Sequence, residues 1–113
     1  MKTYDLTMLK EQCGNDKSFY NEMIRIFISS TKEGIDEIEN ALKNNDMMAV
    51  SHQAHKIISP CRHINANNMV RMLANVENIA RGKEGKSEDL PALTEKLKEE
   101  FKTISFDLNK EIS

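Results

Sequence analysis

The stretch AHKIISPCRHI, Ala54 to Ile64, combines a regular packing pattern with reactive side chains. Val50, Ala54, Ile57, Cys61 and Ile64 recur three or four residues apart, the spacing of one buried helix face. His52, His55, Ser59 and Arg62 recur at i, i+3, i+7 and i+10 on another side, which this reading turns towards water. Three chemistries suit such histidines. A metal site is the weakest, because Lys56 and Arg62 are the charged neighbours and cations repel a metal ion. General-base catalysis needs a pocket and an orienting partner, and an exposed strip offers no pocket. Nucleophilic attack on a phosphoryl group fits better. A neutral imidazole is a good nucleophile near pH 7, since its ordinary pKa is about 6.5. A partner that supplied the donor and the metal would leave the helix needing only exposure, a small neighbour and positive charge. Ser59 is that small neighbour at i+4, and Lys56 and Arg62 supply the charge. His63, beside the apolar stripe near the helix end, is expected to be partly buried or to cap the helix.

Composition narrows the alternatives. The chain has 113 residues, enough for one domain with one core. Charged residues make up 30% and hydrophobic residues 39%, with few Gly and Pro, a profile that suits a water-soluble helical domain. A formal net charge of −2 and the absence of Trp argue against nucleic-acid binding. No apolar run approaches the ~18 residues of a membrane span, and the N-terminus does not read as a signal peptide. Cys13 and Cys61 both fall on apolar stripes and read as buried free thiols, which implies a cytoplasmic setting.

Five helical segments can be placed around the histidines. Asp5 caps a short one that carries Leu6, Leu9 and Cys13 and stops at Gly14. Asp16 caps a long one reaching Asn44 or Asn45, with Phe19, Met23, Ile26 and Phe27, then Ile35, Ile38 and Leu42, inward, and with a kink or register shift near Gly34 within one helix. Asp46 caps the histidine helix. A fourth segment follows Asn65, packs Met69, Met72, Leu73, Val76, Ile79 and Ala80, and ends at Gly82. The last begins near Ser87, with Pro91 in its first turn and apolar residues from Leu90 to Ile112. The fold expected is all-α: an antiparallel up-down four-helix bundle with a short extra N-terminal helix.

The stretch ALKNNDMMAVSHQAHKIISPCRHINANNMVRMLANVENIAR resembles the histidine-phosphotransfer (HPt) domain of bacterial phosphorelays. That family's layout is a helix ending near AL…D, then AHxLKGSxxxxGA, then L…LE…AR. Ala54-His55 matches the Ala-His pair and Ile57 the leucine two residues on, while Met69, Leu73, Glu77 and Ala80-Arg81 fit the next helix. The lead-in YDLTMLKEQCGNDKSFYNEMIRIFI is also similar, so the resemblance spans nearly the whole chain, 1–113 as one domain. The resemblance implies that His55 takes a phosphoryl group from an aspartyl phosphate on one receiver domain and passes it to another. It implies no cofactor on this domain, with Mg²⁺ on the receiver. A monomer is expected, and KTYDL would suit a linker at the C-terminal end of a hybrid sensor kinase.

The chain departs from the family pattern where lysine and glycine usually follow the histidine: it has Ile58 and Ser59. Lys56 and Arg62 are expected to share the lysine's screening role, Lys56 only partly because it lies about 100° around the helix from His55. Ser59 could donate its hydroxyl to a phosphate oxygen, and Ile58, if exposed, would join an apolar docking patch. Asn65 replaces the usual glycine and should tolerate a left-handed backbone. Pro60 costs roughly 3 kcal/mol in an isolated helix and should bend this one a turn after His55. HKIISP also resembles the H-box of histidine-kinase dimerisation domains, but Lys56 reverses the charge of the acidic residue there and no nucleotide-binding domain follows Arg81. The other alternative is a bundle that docks on a receiver without carrying phosphate.

Overall fold

A computed structural model describes residues 3–112, so Lys2 of the lead-in lies outside the described residues. Helices run over Thr7–Cys13 (α1), Lys17–Lys43 (α2), Met47–His63 (α3), Asn67–Ala80 (α4) and Leu90–Glu111 (α5). No strand occurs among the described residues. The caps follow from short acidic side chains placed ahead of apolar periodicity. Asp16 accepts from the Phe19 N–H at 2.9 Å and Asp46 from the Ala49 N–H at 3.1 Å, each satisfying an otherwise orphan donor. Asp5 sits one residue further out than a standard cap and accepts from the N–H and hydroxyl of Thr7, at 2.9 and 2.7 Å. A 3₁₀ turn, Ser87–Asp89, precedes α5, so the last α-helix starts later than the sequence suggests, with Pro91 in its first turn.

Short connections decide the topology. Asn44–Asp46 joins α2 to α3 and Ile64–Ala66 joins α3 to α4, too short for anything but reversal. Asn45 and Asn65 make these reversals in the left-handed region, at φ 56° and 51°. Asn65 therefore takes the backbone conformation expected of it. α3 packs on α2 and α4, α5 closes the ring against α4 and α2, and α1 lies on α2. The result is an antiparallel four-helix bundle, 45 × 21 × 21 Å, with a short extra N-terminal helix.

The core is built from periodic residues of all four long helices, with Ile24 and Ile38 of α2 fully enclosed. Val50, Ala54, Cys61, Met69, Leu73, Val76, Leu97 and Leu108 are fully enclosed. On α2, Phe27, Ile35 and Ile38 are buried as spaced, but the start of the helix differs from expectation. Phe19 and Ile26 are about half exposed, at 48% and 46%, and Met23 is only partly covered, while Tyr20, Ile24, Phe27 and Thr31 point inward. The stripe beginning one residue later wins because α2 must meet both α3 and α5. Phe27 rests on Phe101 of α5, with ring centroids 6.3 Å apart.

α2 is continuous through Gly34, whose role is close packing. A Cβ there would lie 2.4 Å from Cγ2 of Ile57 on α3. Gly34→Ala should therefore destabilise the bundle by about 1–3 kcal/mol despite a helix-propensity gain of about 1 kcal/mol, a sign readable from the urea midpoint. Burial pushes the Cys61 thiol up to about 12. It stays protonated in the native state, so iodoacetamide should label Cys61 at pH 8 only after denaturant unfolds the chain, as peptide mapping would show.

Candidate functional site

His55 stands on the outer face of α3, its side chain 70% exposed. Ala54 and Ile57, on either side of it in sequence, are buried, and their packing against the bundle fixes the helix rotation that turns His55 outward. Its Nδ1 lies 3.1 and 3.3 Å from the two carboxylate oxygens of Glu77 on α4. An ionised carboxylate can only accept, so Nδ1 carries the hydrogen and donates it. In the neutral ring Nε2 then keeps its lone pair. The histidine thus has an orienting partner, which the exposed strip alone did not suggest.

Glu77 is almost enclosed, its side chain 11% exposed. A carboxylate so placed needs partners, and it has two. One is His55. The other is Arg81, one turn further on at the C-cap of α4, whose Nη2 donates to Oε2 at 2.8 Å. Arg81 also donates from Nε to the hydroxyl of Ser51 at 2.8 Å. Ser51 lies one turn before His55 on α3 and is itself buried. The chain of contacts His55, Glu77, Arg81, Ser51 leaves α3, crosses α4 and returns to α3. The sequence carried a signal for it: Met69, Leu73, Glu77 and Ala80 form one stripe of α4, so a carboxylate falls on a face meant for burial.

The other sequence-derived site residues divide. His52, Lys56, Ser59 and Arg62 are exposed with His55, as the helical spacing implies. Arg62 is two turns along. Lys56 opens towards α2, where it shares a cleft with Glu33 and Glu37. Ile58 is buried at 8% exposure and cannot form a docking patch, because its side chain is absorbed into the core. The apolar surface beside the strip comes from α2 instead. Met23, Ile26 and Phe27 face Ser59, Pro60 and His63 across a groove of about 240 Å³. His63 is exposed on this groove and is neither partly buried nor a cap. α3 runs through Pro60 without a break. Among the described residues no group of three or more His, Cys, Asp or Glu is placed to hold a metal ion, and no helix is long and apolar enough to cross a membrane.

The Glu77 contact should set the histidine tautomer. Neutral His55 is expected to show the Nδ1–H form in ¹⁵N spectra, and Glu77→Leu to return it to the Nε2–H form usual for free imidazole. An Nε2–H form in the wild type would remove Glu77 from the site.

The sequence model of the Hpt domain matches residues 22–105. The crystal structure of histidine-containing phosphotransfer protein B (HptB) from Pseudomonas aeruginosa PAO1 superposes with a TM-score of 0.86, covering 96% of this chain and 93% of that one at 22% identity. The HPT domain of the Hpt sensor hybrid histidine kinase from Shewanella superposes with a TM-score of 0.74, covering 96% and 92% at 18% identity. At these identities the likeness is one of fold. No curated protein matches the chain by sequence.

Proposed function

The chain belongs to the Hpt domain family, and on that premise we propose that His55 carries a phosphoryl group in a two-component phosphorelay, between two receiver domains. The observation that carries this reading is an exposed imidazole whose Nδ1 is engaged by a buried carboxylate. The lone pair of Nε2 attacks phosphorus on a receiver's aspartyl phosphate. The Nε2–P bond forms, the P–O bond breaks, and the aspartate carboxylate leaves with the electron pair. No proton has to move. The positive charge that develops on the ring meets Glu77 through the Nδ1 hydrogen, which is why an acid suits this position. The reverse step passes the group to the next receiver.

The domain supplies a nucleophile and its orientation, and the receiver supplies the acyl phosphate and its Mg²⁺. Residues 1–113 act as one cytoplasmic, monomeric domain that binds no cofactor of its own. The four long helices close a bundle within a single chain, which favours this reading over a kinase dimerisation fragment, where two protomers build the bundle together. The receiver seats against the groove of Met23, Ile26, Phe27 and Pro60, which Ser59, one turn from His55, also lines. The half-exposed Ile26 and the partly covered Met23 and Pro60 are apolar surface that a transient protein partner can cover.

The test is an intact-mass assay with phosphoramidate or a phosphorylated receiver as donor. Wild type should gain one acid-labile phosphoryl group and His55→Gln none. Glu77→Gln keeps an acceptor but loses the charge, and should load about tenfold more slowly. No gain by the wild type from several competent donors would leave a bundle that only docks.

A further inference from the structure

One turn beyond His55 its own helix offers no cation. Position 58, one turn beyond His55, holds an isoleucine with its side chain in the core. A doubly charged phosphoryl group on Nε2 still needs a counter-charge, and beside it lies Glu77, an anion. Two cations of α3 are poorly placed to help. Lys56 faces Glu33 and Glu37 across the cleft to α2. Arg62 is seven residues away, roughly 10 Å along the axis.

Arg81, the C-cap residue of α4, is better placed. Its Nη2 and Nδ1 of His55 meet at the same oxygen of Glu77, at 2.8 and 3.1 Å. Ser51 pins its Nε, so the guanidinium is oriented from two sides before any phosphate arrives. A guanidinium has five N–H donors, and these two bonds use two of them. The side chain is 45% exposed, and it lines an open cleft together with His52, on the His55 side of α3. The remaining donors therefore have room to meet an oxyanion.

We propose that Arg81 is the phosphoryl-binding cation of this domain: it donates to the non-bridging oxygens of the group on His55 while staying paired with Glu77. This rests on His55 being the acceptor. Position 58 is thereby freed for the core. The pairing also keeps Glu77 from repelling the incoming phosphoryl group, since its charge is already met on one side.

The phosphoryl group itself reports a cation at its oxygens. Wild type, Arg81→Gln, Arg81→Lys and Lys56→Ala are loaded with phosphoramidate, and the ³¹P resonance of the phosphohistidine is followed against pH. A hydrogen-bonded cation stabilises the dianion and lowers the titration midpoint. Arg81→Gln should raise that midpoint by about one pH unit, and Arg81→Lys should return most of it. An unchanged midpoint in Arg81→Gln, or a rise in Lys56→Ala instead, would overturn the proposal. If Arg81→Gln does not fold, wild type carries the test: the ¹⁵N resonances of the Arg81 guanidinium must shift on loading, and unshifted resonances overturn it. A phosphohistidine signal missing even from wild type would be a failure of the acceptor reading, distinct from any effect of Arg81.

Discussion

A nearly enclosed carboxylate governs the architecture of the site. Glu77 sits on the packing face of α4, and an ionised group there is costly unless its oxygens are met. His55 and Arg81 meet them, and each is held in turn. The interaction ties the register of α3 to that of α4. A slip of one residue between these helices would leave the acid buried without partners. The left-handed Asn65, at the short turn joining them, sets that register at its source. The core residues Val50, Ala54, Met69, Leu73 and Val76 then lock the two helices together.

Much of the bundle is legible in the sequence because it rests on local rules. Asp16 and Asp46 cap where apolar periodicity begins, Pro91 falls in a first turn, and the stripe from Val50 to Ile64 is buried as spaced. Harder to read was which stripe of α2 faces inward. Phe19, Met23 and Ile26 form one stripe, and Tyr20, Ile24, Phe27 and Thr31 another about 100° away. Periodicity is equal for both, and only the positions of α3 and α5 decide between them. The exposed stripe then becomes one wall of the groove beside the histidines. Gly34 reads as a weak point in a helix until Ile57 is seen against it.

The strip of His52, His55, Ser59 and Arg62 was legible because exposure follows from helical spacing. The rest of the site was not, because it is tertiary. Glu77 is twenty-two residues from His55 in sequence and meets it only when α3 and α4 pack. A carboxylate on an apolar stripe was the available sign, and it pointed to a buried partner without naming one. Ile58 shows the converse. Its place three residues after His55 suggested a surface role, yet helix rotation puts it in the core. His55 stands on one helix and its carboxylate partner on the next, a division that leaves the packing face of α3 intact.

In the proposed phosphocarrier, Glu77 reserves Nδ1 of His55 and leaves Nε2 to bond phosphorus. The most direct measurement is ¹⁵N–³¹P correlation on the phosphorylated, ¹⁵N-histidine-labelled chain. A single phosphoryl group coupled to Nε2 of His55, with Nδ1 still protonated, is the expected result. Coupling to Nδ1, or to a nitrogen of His52 or His63, would contradict it.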